Sequence, residues 1–389
     1  MIRHTKHIIL LLIIFAASGC IDEYDPEFKS DFERLLVVEG NIHQGAGPFR
    51  VRLSYTVPVD QPNNIPGTGF EVIIIDDLGH EFSLIYTGDG YYEGEPSGFE
   101  AEIGRKYKLH LFSPETGKTY ESSWETIGEP VQIETVYTQA ESHEDPDFNH
   151  NLQGLQFYLN TGDFATDTTY FMWELIETYK YYSNYALAFI YDGEMKEAQT
   201  PDSLYVCYRT DAINQIFTSG TTDLAQNSLS GYPLHFVDTE TKRLMARYSI
   251  LVRQHVISGK AHLFWKEVNE LINNNATLFA SQPYQIQGNI RNINNDSEVV
   301  LGYFSASGVS EKRIFIDRPS ALDFYYPLTC ELYTQNLESI FKSLKSKWPL
   351  FLTKDYSTGF PIPAYPPDQS CIDCRDNGGV VEPPEFWIE

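Results

Sequence analysis

From Leu35 to about Ile127, apolar and polar residues alternate with the short period of an extended chain. The segments LLVVEGNI (Leu35–Ile42), FRVRLSYTV (Phe49–Val57) and FEVIIID (Phe70–Asp76) are rich in β-branched and aromatic residues. EFSLIY (Glu81–Tyr86), GRKYKLHLF (Gly104–Phe112) and KTYESSWETI (Lys118–Ile127) follow at short intervals. A strand turns successive side chains to opposite faces, so Tyr107, Leu109 and Leu111 share one face while Lys108, His110 and Phe112 share the other. The clusters HQGAG, PNNIPGTG, DDLG and SPETG supply turns between the segments. Six or more short strands in about a hundred residues predict a β-sandwich, immunoglobulin- or transthyretin-like, over residues 32–129.

GEPVQ (Gly128–Gln132) reads as the junction to a second β-rich domain over 130–389. There LQFYLNTGD (Leu155–Asp163), TTYFMWELIETYKYY (Thr168–Tyr182) and RYSILVRQHVIS (Arg247–Ser258) read as long strands. In the last of these, Tyr248, Ile250 and Val252 alternate with Arg247, Ser249, Leu251 and Arg253. Two stretches change to helical spacing. Ala261, Phe264, Trp265, Val268, Leu271 and Ile272 predict a helix near 260–274; Leu337, Ile340, Phe341 and Leu344 predict another near 336–347. Apolar stripes of this kind face a core far more often than a cofactor. Strand pattern returns in YQIQGNIRNI and EVVLGYFSASGVSEKRIFI, with Asn294–Asp296 predicted as a hairpin turn. The expected class is therefore mainly β, with an N-terminal sandwich, a second β-rich domain carrying two amphipathic helices, and an irregular C-terminal tail.

The N-terminus changes this picture by giving an address. Arg3 and Lys6 precede the apolar run Ile8–Phe15, and small residues Ala16 to Gly19 lead into Cys20. That is the layout of a secretory signal whose apolar run is too short to span a bilayer. Cys20 fits the acylated cysteine of a lipobox, which makes 1–19 a lipoprotein signal peptide and Cys20 the lipid attachment site. Asp22, Glu23 and Asp25 follow in an acidic tether, 20–31, similar to the surface-export signal of Bacteroidota lipoproteins. The expected location is the outer membrane, lipid-anchored and facing the cell exterior. The net charge is −26, or −28 once Arg3 and Lys6 leave with the signal. Such a chain repels phosphate backbones and argues against a nucleic acid partner.

Candidate chemistry is sparse. ESHEDPDFNH (Glu141–His150) gathers Glu141, His143, Glu144, Asp145, Asp147 and His150, oxygen and nitrogen donors suited to calcium or zinc. Its spacing fits neither an EF-hand nor an HExxH pair, and a solvated interdomain loop is the simpler reading. YKYYSNYALAFIY packs Tyr179, Tyr181, Tyr182, Tyr185 and Tyr191 together. Exposed, such rings would stack on sugars or dock a protein; in a strand, alternate ones turn into the core. GxSxG, HExxH, Walker and GxGxxG patterns are missing. No cofactor is expected, and a non-catalytic protein is favoured over a surface glycan- or peptide-hydrolase using paired carboxylates. Beyond Cys20, the cysteines are Cys207, Cys330, Cys371 and Cys374. One close pair is too few for a four-cysteine zinc site, and CIDC lies in a Gly- and Pro-rich tail without a following helix. An oxidising compartment points to two disulfides. Of the three pairings, those joining both tail cysteines outwards to Cys207 and Cys330 avoid the small strained CxxC ring. The bridges are then clamps on a tail with little core of its own.

LVVEGNI (Leu36–Ile42), FWKEVNE (Phe264–Glu270), QPYQIQGNI (Gln282–Ile290), LGYFSASGVSEKRIFI (Leu301–Ile316) and CIDCRDNGG…PPEFW (Cys371–Trp387) occur in order behind the lipobox. Together they resemble a family of Bacteroidota outer-membrane lipoproteins catalogued as domain of unknown function 4249. The resemblance brings no defined activity and no catalytic residues. It implies an accessory or ligand-binding lipoprotein working beside a TonB-dependent receptor in nutrient uptake.

Overall fold

The computed structural model describes residues 34–389 except 59–63, 96–97, 145–149, 165–167, 223–227, 275–285 and 327–329. The signal at 1–19, Cys20, the tether 20–31, Asp145 and Asp147 lie outside the described residues.

The mainly β class holds. The N-terminal strands are β1 (Leu36–His43), β2 (Arg50–Tyr55), β3 (Glu71–Asp76), β4 (Glu81–Gly88), β5 (Tyr91–Glu93), β6 (Lys106–Ser113) and β7 (Lys118–Ser122). Then come β8 (Ile133–Glu144), β9 (Asn151–Thr161), β10 (Tyr170–Tyr182), β11 (Val206–Ala212), β12 (Phe217–Gly220), β13 (Tyr232–Asp238) and β14 (Arg247–Ile257). Helix α1 (Gly259–Asn274), β15 (Ile290–Asn292), β16 (Val300–Asp317), helix α2 (Leu337–Ser343) and β17 (Leu350–Asp355) complete the main elements.

Most strands belong to one hydrogen-bonded path, β11-β10-β14-β16-β1-β2-β5-β4-β3-β6-β7-β15. Its N-terminal part curls so that Val38, Val51 and Leu53 share a core with Ile74, Leu109 and Leu111. The alternation in YKLHLF drives this. Tyr107, Leu109 and Leu111 are buried, while Lys108 and His110 on the other face pair with Glu121 at 2.9 and 3.2 Å. The N-terminal residues do not close that core alone, because Ile290, Val300, Phe304 and Ala306 complete it.

Strand β16 is the joint between the two halves. Val300–Ser307 runs parallel to β1, whereas Gly308–Asp317 runs antiparallel to β14. The boundary expected at 129/130 is accordingly no loose linker. A side chain at Gly308 would place its Cβ 2.2 Å from the Gly128 carbonyl oxygen, so glycine lets the linker cross the strand. Three residues on, the Val131 carbonyl accepts from Gln254 Nε2 at 2.7 Å and Ser310 Oγ at 2.6 Å. Asn294–Asp296 does not turn a hairpin either. β15 pairs with β7, not β16, and Asn294 Oδ1 accepts from the Thr119 N–H at 2.7 Å. A side-chain acceptor fixes this loop to a distant strand, where the sequence suggested a local turn.

The second core is a two-layer sandwich. Phe171, Trp173 and Leu175 of β10 and Tyr248, Ile250 and Val252 of β14 pack against a three-stranded sheet, β8-β9-β13. Trp173 donates Nε1–H to Gln254 Oε1 at 3.0 Å, which meets the polar demand of this buried ring. The C-terminal region adds smaller clusters. Helix α2 is shorter than its pattern suggested and passes into a 3-10 turn, Lys345–Lys347; Phe341 packs with Leu350, Leu352 and Tyr365. Cys207 is bonded to Cys374 and Cys330 to Cys371, so both tail cysteines bond outwards. The tail is nevertheless not coreless. Ile372, 0% exposed, packs with Leu187 and Leu204, and Cys371 to Cys374 are all buried. Among the described residues, no helix is long and apolar enough to cross a membrane.

Candidate binding cleft

Because β10 and β14 give one face to the second core, their alternate residues form an outer face. Cross-strand register aligns Glu174 with Arg253, Arg253 with Glu311, and His255 with Val309. Through β16 the face continues to Glu39, Asn41 and His43 of β1 and to Arg50 and Arg52 of β2. A cleft of about 1100 Å³ lies over these strands. Helix α1 walls it. Ser258 Oγ accepts from the Ala261 N–H at 3.2 Å and starts the helix, Phe264 anchors it on Tyr303 at 5.1 Å, and Trp265 and Val268 line the cleft. The β11–β12 connection supplies the opposite rim with Ile213 and Ile216.

The floor is charged yet locally balanced. Arg52 pairs with Glu39 at 3.4 Å, Arg253 with Glu311 at 2.5 Å, and Arg50 with Glu93 beside Tyr91. At its centre His255 is 2% exposed. Its Nδ1 lies 2.9 Å from Ser307 Oγ and 3.3 Å from Asn41 Nδ2, while Asn41 Oδ1 accepts from Ser305 at 3.2 Å. An amide nitrogen only donates, so Nδ1 is the acceptor and the ring proton sits on Nε2. That Nε2 stands 3.5 Å from Glu174 Oε2, too far for a full hydrogen bond, and it remains without a hydrogen-bond partner. Contact with His255 holds the Glu174 carboxyl below the usual carboxylate range, aided by Arg253 and opposed by partial burial.

Ser307, His255 and Glu174 include the residue types of a nucleophile relay, but in the wrong order of depth. The hydroxyl sits at the closed end, 0% exposed, and the carboxylate at the open end. Nothing entering the cleft meets Ser307, so the network orients His255 and leaves the hydroxyl unused. Two further N–H groups lining the cleft, Trp265 Nε1 and Arg52 Nε, are likewise covered from solvent without hydrogen-bond partners.

The residues singled out in the sequence lie elsewhere. Glu141, His143 and Glu144 form the end of β8, where Glu141 accepts from Tyr158 and lies 2.9 Å from His143 Nε2. The His143 ring stacks on Phe236 at 4.0 Å, and His150 Nε2 lies 2.9 Å from Glu240 Oε1. Glu141, His143 and His150 are thus engaged, and among the described residues no three His, Cys, Asp or Glu side chains gather as a metal site. The tyrosine cluster is not a surface platform. Tyr179 and Tyr181 face the second core, Tyr182 stacks on Tyr205, Tyr185 donates to the Cys330 carbonyl at 3.2 Å, and Tyr191 packs on Phe341. Asn41, Glu174, His255 and Ser307 carried no motif; only their scatter over distant strands brings them together.

A family model described as a domain of unknown function (DUF4249) matches residues 21–313, well over half of the chain. The match ends within β16 and leaves the disulfide-bonded tail outside. No curated protein matches the chain.

Proposed function

The chain belongs to the DUF4249 family, and on that premise we propose that it is a non-catalytic binding protein. In this reading Cys20 tethers it to the outer membrane, its cleft faces the cell exterior, and a TonB-dependent transporter is its partner in nutrient uptake. The observation that carries the binding role is the cleft itself, about 1100 Å³, with charged side chains on its floor and Trp265 in its wall. A concave site with an apolar wall and a few convergent polar groups is the usual form of a ligand site. A hydrolase with paired carboxylates needs one acid pushed upward to hold its proton. Glu174 is shifted downward, which suits an acceptor in a binding site. The test is affinity purification of tagged lipoprotein in mild detergent. A β-barrel transporter should co-elute, and Cys20→Ala should move the protein out of the membrane fraction. Elution alone, together with unimpaired nutrient uptake in a deletion strain, would overturn the proposal.

A further inference from the structure

We infer that the cleft takes a neutral oligosaccharide laid across the strands, an inference that rests on the binding role proposed above and gives it a ligand class. The shape comes first. From Arg52 on β2 to Glu174 on β10 the floor crosses five neighbouring strands, roughly 19 Å at ~4.8 Å per strand. That length suits a short chain of rings better than one small metabolite.

Charge comes next. Arg50, Arg52 and Arg253 pair with Glu93, Glu39 and Glu311, and Glu174 lies beside His255, within a chain whose net charge is −26. A polyanion is repelled on approach, and a polycation finds three of the four floor carboxylates already paired with arginine. A neutral ligand pays neither cost.

The polar chemistry then selects hydroxyls. The exposed edges of the Arg52–Glu39 and Arg253–Glu311 pairs present donors and acceptors side by side. A sugar hydroxyl is both at once and serves either. His255 Nε2 and Trp265 Nε1 are covered from solvent, so the contacts open to a ligand are the exposed Glu174 carboxylate and these paired side chains. Trp265, half-buried on helix α1, adds an aromatic surface for the C–H face of a ring.

An extended peptide fits less well. Peptides that bind sheets add a strand to an open edge. Here β1, β10 and β14 are each hydrogen-bonded on both sides, so the floor offers side chains and no free backbone.

The experiment uses the detergent-solubilised lipoprotein. It is screened by calorimetry and tryptophan fluorescence against neutral oligosaccharides of glucose, galactose, mannose, xylose and N-acetylglucosamine, each about four to six units long. Uronate-containing oligosaccharides and short peptides are the comparators. At least one neutral oligosaccharide should bind, and Trp265→Ala should weaken it by about tenfold or more, as for a central aromatic contact. Glu174→Gln, which keeps the shape of the side chain, should weaken binding while the protein still unfolds in a single cooperative transition. The inference is overturned if no neutral oligosaccharide binds, if only uronates or peptides bind, or if both variants bind like the parent. A blank screen with the barrel still co-eluting removes the ligand class and leaves the transport role standing. Sugar binding without a barrel does the reverse.

Discussion

The outer face of the β10-β14-β16 sheet has two ends that differ in what covers them. At one end the chain covers itself. The Val380 backbone pairs with Tyr208, Glu389 binds Lys180 at 2.9 Å and Tyr208 at 3.0 Å, and Phe386 lies 3.6 Å from the Arg313 guanidinium. Trp387 sets its ring edge-on to Tyr208 and Phe315. At the other end, beginning one cross-strand row away at Arg253–Glu311, the face opens into the cleft. Unpaired donors do not separate the two, since Trp387 Nε1 lacks a partner just as Trp265 Nε1 does. Space separates them. Aromatic rings and a carboxylate from the tail occupy the sealed end, and comparable groups at the open end still face a void. The same strands thus show how such a surface is satisfied and where it is not.

The sharpest way to break this contrast is to unseal the covered end. Replacing Cys207 and Cys374 together by alanine opens a loop with a sequence separation of 167. It should cost about 2–5 kcal/mol in denaturant unfolding. Amide exchange along β11 should rise, while ligand affinity at the cleft stays within about twofold, as for distant sites. An equal loss of affinity would mean that the two ends are one unit.

Ser307→Ala probes the open end. It removes one hydrogen bond on the His255 ring and should cost about 1 kcal/mol with a modest loss of affinity. Loss of turnover on any bound glycan in this variant would instead make the cleft catalytic.

Acidification compares both ends in a single titration. Contact with His255 holds Glu174 down, and the Lys180 hydrogen bond holds Glu389 down. A carboxylate depressed in the folded state stabilises it fully above the ordinary value of 4.5, and that stability is lost as pH falls through the folded value. Glu174→Gln and Glu389→Gln should each flatten part of the acid limb of stability against pH. The Glu389 share should be under about 1 kcal/mol at neutral pH, because the pair is exposed.

Strand periodicity made much of the fold legible. Tyr107, Leu109 and Leu111 face one core, and Tyr248, Ile250 and Val252 the other, as their alternation implies. Helix α1 follows its apolar stripe: Ala261 and Phe264 are buried, and Trp265 and Val268 pack against their cluster while also lining the cleft. The pairing of β1 with β16 was not legible, because a parallel ladder leaves no turn signal between its strands. FSASGVS did hold a trace. Small residues along a strand allow burial on both faces, and Tyr303 to Gly308 are indeed all buried. The cleft was hidden for a related reason. Glu174, Arg253 and His255 alternate with core residues, and in one dimension that pattern looks like an ordinary wet face.

Strand β16 also sets a schedule. The chain emerges N-terminus first, so β1 is made long before the residues that bond its second edge. Until Val300–Ser307 exist, that edge is an open, apolar template, and the core around Val38 and Leu53 lacks Phe304 and Ala306. Contacts between such distant residues close slowly. A chain stopped short of residue 300 would therefore carry a sticky margin, prone to recruit a neighbour's strand in place of its own.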